Sequence, residues 1–149
     1  MIGRRVTATR LFLYTLQVYL EPPSSEARDL ELWCDPSWHL RSPSGLLTGS
    51  GAIESPSSFE DEVEVARASA TISEVSQATK VLKGQRLVSL HLDQVTHALT
   101  AEFSAGLVLA TFPAEPDLEA LWVLRDPNRD IAIRGTVHGV AEGTRARVV

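Results

Sequence analysis

A mainly β fold of the α+β class is what the sequence predicts. Two copies of a five-stranded unit share one sandwich or barrel-like core, with one or two helices between the copies. Three observations lead there. The motif W-x-L-R-[SD]-P occurs twice, as WHLRSP from Trp38 and as WVLRDP from Trp122. Apolar residues alternate at period two through much of the chain, the mark of strands with one buried face. A middle segment breaks that alternation and spaces its apolar residues at helical intervals instead.

The repeat extends well beyond the tryptophans. Gly3, Arg5, Val6 and Leu11 match Gly84, Arg86, Leu87 and Leu92. After a short insertion at the hairpin of the second copy, Leu16, Val18 and Leu20 match Leu99, Ala101 and Phe103. Leu30 and Leu32 then match Leu107 and Leu109, and the tryptophan motif closes both copies. Landmarks in one order with few insertions point to a duplicated unit rather than to chance. Half a chain of about 55 residues buries too little surface to be stable alone, so the copies should share a core about an approximate two-fold axis. The whole of 1–149 is then one domain: copy one at 2–53, a helical connector at 54–82, copy two at 83–140 and a C-terminal tail at 141–149.

In copy one, strands are predicted near 4–12, 15–21, 29–34, 37–42 and 45–49. The stretch EPPSSEARD between the second and third is too rich in Pro, Ser and charge to be buried, and reads as a loop. Pro43 ends the tryptophan strand and starts a turn that Ser44 and Gly45 complete. Within that strand Trp38 and Leu40 share one face, and Arg41 takes the other. In the connector Phe59, Val63, Ala66 and Ala70 fall on one helical stripe, and Val75, Thr79 and Leu82 continue at i, i+4 and i+7 after a phase slip. Ser58 with Asp61, and Thr71 with Glu74, each resemble a capping box, so one or two helices are expected between 59 and 82, stopping at Gly84. Copy two repeats the strands near 86–93, 98–104, 106–112, 119–125 and 130–136. Ser104-Ala105-Gly106 makes one hairpin turn there, with glycine supplying the positive φ, and Pro127 mirrors Pro43. The tail AEGTRARVV is polar, hence frayed or a short edge strand.

Composition narrows the function. Net charge is −5, with the acidity concentrated around Glu60, Asp61, Glu62 and Glu64. A nucleic-acid binder needs a basic stripe, and the sequence has none. Cys34 is the only cysteine, which excludes an internal disulfide and a cysteine-based zinc site. Arginines ahead of the apolar run from Leu11 give the N-terminus a superficial likeness to a secretory signal. Thr15 and Gln17 interrupt that run, no small-residue cleavage site follows, and copy two carries its counterpart, so a soluble, cytoplasmic protein without membrane contact is expected. Nucleophile-elbow, zincin, phosphate-loop and dinucleotide fingerprints are all missing, and no cofactor is expected.

Several residues remain as candidates. Glu115, Asp117 and Glu119 cluster in FPAEPDLEALW, where copy one has only DPSW, so the shared scaffold does not demand them. They form the first candidate binding region, with Arg41 and Arg125 as possible partners of carboxylates at the copy interface. His91, Asp93 and His97 in HLDQVTH are a weak metal-ligand set, imidazole and carboxylate together suiting zinc. A hydrolase using Asp117, Glu119 or His97 is the least favoured reading, since paired carboxylates must face each other across a cleft.

The segment LKGQRLVSLHLDQVTHALTAEFSAGLVLATF, followed by DLEALW, resembles small bacterial domains in which a hairpin L-x-F-x-x-G-x-x-L precedes an acidic residue and Trp. Leu99 to Leu107 fit the hairpin loosely, and Glu119-Ala120-Leu121-Trp122 carries one residue more than E-x-W. Some of those domains look like immunity proteins of bacterial toxin systems. The resemblance, which covers about half the chain, implies action by binding and transfers no catalytic residue. The expected function is therefore a non-enzymatic binding module that recognises a protein partner or forms a homodimer, an acidic surface steering a basic partner. A small-molecule pocket enclosed by the two sheets is the alternative.

Overall fold

The computed structural model describes residues 1–113 and 120–144. Copy one forms β1 (Val6–Phe12), β2 (Thr15–Leu20), β3 (Leu30–Cys34), β4 (Trp38–Ser42) and β5 (Gly45–Gly49). Helix α1 (Glu62–Thr79) follows and tightens into a 3-10 turn at Lys80–Leu82. Copy two forms β6 (Leu87–Leu92), β7 (Leu99–Phe103), β8 (Val108–Thr111), β9 (Trp122–Asp126) and β10 (Ile131–Thr136), with β11 (Gly139–Thr144) beyond them. The protein is mainly β, as its alternating pattern predicts, with one helix between the copies.

Two antiparallel sheets pack together, one in the order β1-β2-β3-β9-β10-β11 and the other β5-β4-β8-β7-β6. With β11 set aside, each sheet takes three strands from one copy and two from the other. Exchanging β1 to β5 for β6 to β10 converts the first order into the second, apart from β11. The hydrogen bonds obey the same exchange. Gly3 donates to the carbonyl of Leu87 at 2.7 Å, and Gly84 to that of Val6 at 2.8 Å. Asp35 donates to Leu121 O at 3.0 Å, and Phe112 to Ser37 O at 2.9 Å. Arg5 bridges Arg86, its own equivalent, so the pseudo-two-fold axis passes between them and the β1 and β6 edges touch there. Gly3 and Gly84, at φ of +83° and +86°, supply the left-handed residue that lets each strand peel away from that crossing.

The paired tryptophans occupy like surroundings. Trp38 is 1% exposed and Trp122 2%. Trp38 Nε1 donates to the Tyr14 carbonyl at 2.6 Å, and Trp122 Nε1 to the His97 carbonyl at 2.8 Å. Tyr14 and His97 are equivalent residues at the ends of the β1–β2 and β6–β7 turns. A buried indole N–H requires an acceptor, and the duplicated hairpin supplies it twice. Beneath Trp122 lies Gly135, where a Cβ would sit 2.2 Å from the indole ring. The shared interior joins Leu16, Val18, Leu20 and Leu32 of copy one to Leu87, Leu99, Ala101 and Leu109 of copy two.

The connector departs from its pattern in two ways. One continuous helix forms, capped by Asp61, whose carboxylate accepts from the N–H groups of Val63 and Glu64. The Ser58 hydroxyl accepts from Glu60 N, ahead of the helix, and Thr71 lies inside the helix, its hydroxyl donating to Ala68 O and accepting from Glu54 N. Neither serves as a capping-box residue. The first apolar stripe is also on the wrong side: Phe59 is 87% and Val63 68% exposed. The buried face runs instead through Ala68, Val75 and Thr79 to Leu82, with Ile72 half-buried beside it. At about 100° per residue, Val63, Ala66 and Ala70 stand on the far side of the helix from Ala68 and Val75. A helix lying across the edges β1 and β5 can bury one stripe only.

One turn and one strand differ in detail. At Ser104–Gly106 the chain makes a 3-10 turn in which Ala105 as well as Gly106 has positive φ, +61° and +69°. The last strand, β11, begins at Gly139, ahead of the predicted tail, and pairs antiparallel along β10.

Candidate binding cleft

On one side of the axis α1 covers the place where β1 and β5 approach. The equivalent side, beside β6 and β10, carries no helix among the described residues. A cleft of about 460 Å³ opens there. Leu90 of β6, Leu124 of β9 and Ile131 and Ile133 of β10 line it, with Met1, Ile2 and Leu30 at one end. These are the inward-facing positions of their strands. Leu124 is half-buried, whereas its equivalent Leu40 is fully buried; Ile133 is half-buried, whereas its equivalent Thr48 is buried. Core residues are thus left partly open on this side.

Arg125, Asp126, Arg129 and Glu142 form the polar rim. Arg125 spans the copies: its guanidinium lies 3.6 Å from a Glu31 oxygen and 4.5 Å above the Trp33 ring centre. Glu31 in turn accepts from Trp33 Nε1 at 2.9 Å. Arg129 sits 3.6 Å from Asp126 and is largely exposed. The rim therefore holds one matched pair, Arg129 with Asp126, beside Glu142, and Arg125 tied to a carboxylate outside the cleft lining, all around an apolar floor. Such a surface holds an apolar body by burial and orients it by the rim.

The predicted residues scatter. Glu115, Asp117 and Glu119 lie outside the described residues. Arg125 does meet a carboxylate at the copy boundary, while its equivalent Arg41 is exposed on the other sheet, opposite Leu46 and Val108. The two arginines do not converge on one site. Among the described residues no group of three or more His, Cys, Asp or Glu is placed to hold a metal ion. Asp93 explains part of that: its carboxylate accepts from Val95 N at 2.9 Å, Thr96 N at 2.6 Å and Thr96 Oγ1 at 2.9 Å, closing the β6–β7 turn. Those bonds, Thr96's foremost, hold it below the usual carboxylate range. His97 uses its carbonyl to anchor Trp122, and its Nδ1 is buried without a hydrogen-bond partner among the described residues. Burial, with Asp35 adding to it, pushes the Cys34 thiol well up, out of nucleophilic range.

Of the residues that border the cleft, Arg125 was a candidate in the sequence; the apolar ones drew no attention. Leu90, Leu124, Ile131 and Ile133 read there as ordinary strand positions. The available signal was relational: the one or two predicted helices all lie between the copies, ahead of copy two. A second concavity of about 400 Å³ lies between Leu13 and Tyr14 and the start of α1, lined by Phe59, Val65 and Ile72. No helix among the described residues is long and apolar enough to cross a membrane. Comparison with known proteins finds no matching family, no matching curated protein and no matching solved structure.

Proposed function

We propose that this chain is a non-enzymatic binding module that recognises a protein partner through the cleft beside β6 and β10. The observation that carries the reading is the half-open state of Leu124 and Ile133, residues whose equivalents on the other flank are buried. Partly exposed core side chains on a preformed surface gain free energy when a partner covers them, at about 25 cal/mol per Å² of apolar area. Paired rim charges suit recognition: Arg125 and Arg129 each already have a carboxylate nearby, so a partner adds contacts without stranding a charge. The net charge of −5 favours approach of a basic partner, in keeping with an immunity-like role.

A small apolar ligand is the second reading, because about 460 Å³ falls in the size range of small-molecule pockets. An affinity pull-down from the native host, run with the wild-type chain and with Ile131→Lys, separates the two. Ile131 is 36% exposed, so the substitution changes the cleft while sparing the core. A stoichiometric partner recovered by the wild type and lost by the variant is the expected result. Native mass spectrometry that finds a small molecule retained by the wild type alone, with no protein partner, replaces the first reading by the second.

A further inference from the structure

We infer that the occupant of this cleft is an amphipathic α-helix contributed by the partner, laid across β6 and β10 in the sense in which α1 lies across β1 and β5. The inference rests on the reading of the cleft as a protein-binding site. Its own support is the pseudo-two-fold axis. Gly84 follows α1 and its 3-10 turn, and Gly3 is the equivalent of Gly84. The rotation that superposes the copies therefore carries the end of α1 onto Met1 and Ile2, and the body of α1 onto the open cleft. Met1 stands where Leu82 stands on the other flank, and lines the cleft.

The walls specify the helix further. Where α1 faces Thr9, whose hydroxyl lies 3.4 Å from that of Thr79, the cleft presents Leu90. Where the α1 flank has Thr48, the cleft has Ile133. The occupant thus carries aliphatic residues at i, i+4, i+7 and i+11, the spacing of Ala68, Ile72, Val75 and Thr79 in α1, including the position that Thr79 holds.

The test displays a random peptide library, each member the length of α1, to the full-length protein, with counter-selection against Ile131→Lys and against Ile2→Lys. Ile2 is 55% exposed and lines the same cleft, so the second variant guards against a folding artefact in the first. Enriched peptides are expected to repeat aliphatic residues at i, i+4, i+7 and i+11 and to gain helicity by circular dichroism on binding. They should shift the methyl resonances of Leu90, Leu124 and Ile133 and lose about tenfold or more in affinity for either variant, a difference of about 1.4 kcal/mol. Enriched peptides with strictly alternating apolar residues that stay extended when bound, yet depend on Ile131, overturn the helix while leaving the protein-binding site standing. If no selected peptide depends on Ile131 or Ile2, the helix inference falls. If the pull-down also loses nothing in Ile131→Lys, the site reading falls with it.

Discussion

The indole N–H groups of Trp38 and Trp122 each reach one hairpin carbonyl, Tyr14 and His97, at 2.6 and 2.8 Å. Replacing either tryptophan by phenylalanine keeps much of the ring, and leaves a carbonyl unpaired. Trp38→Phe and Trp122→Phe should each cost about 1–3 kcal/mol in urea unfolding, with similar values for the two sites. A large loss at one site and none at the other contradicts their equivalence. Asp93 gives a pH test at the same scale. Its folded pKa is depressed by the Thr96 and Val95 hydrogen bonds, so its stabilisation is present above the ordinary Asp pKa and lost as pH falls through the folded value. Asp93→Ala should therefore flatten the acid limb of the melting-temperature profile below about pH 4 and leave its shape unchanged near pH 7. At this scale the sequence was partly legible. The Trp motif marked a buried pair. By contrast, Asp93 as a turn-closing residue was hidden behind its likeness to a metal ligand, because three hydrogen bonds inside one turn leave no periodic trace.

Helix α1 illustrates what an element's own pattern can and cannot specify. Both apolar stripes, Phe59-Val63-Ala66-Ala70 and Val75-Thr79-Leu82, have helical spacing, and only contact with β1 and β5 decides which is buried. Ten of the strands were legible to within one to three residues at their ends, because period-two alternation and Gly or Pro punctuation act locally. Neither predicted capping box forms: Asp61, read as the partner of Ser58, is itself the cap. Asp61→Ala should cost about 1 kcal/mol by thermal or urea unfolding, whereas Ser58→Ala should fall within about 0.5 kcal/mol of the wild type. A greater loss from Ser58→Ala than from Asp61→Ala returns the cap to the serine.

The whole molecule is an exchange of strands between two copies. Neither copy owns a sheet, since β9 and β10 complete the sheet of β1, β2 and β3, and β4 and β5 complete that of β6, β7 and β8. A fragment of residues 1–53 should therefore be unfolded alone by circular dichroism and by amide dispersion. It should regain strand signal when mixed with 54–149. A fragment 1–53 that folds as a monomer rules out the interleaved core. The same exchange creates the candidate site. The duplication supplies two equivalent flanks, and the single helix of the described chain covers only one of them.

By itself the sequence determined the strands, the duplication and the placing of two tryptophans in like environments. Alternation, turn residues and repeated landmarks are local or pairwise signals that one chain displays directly. Only the tertiary structure decided that the copies interleave across two sheets, which stripe of α1 is buried, and that Leu90, Leu124, Ile131 and Ile133 border an open cleft. Burial is a property of what lies opposite a residue. What lies opposite is set by how distant strands pair, which no local pattern contains.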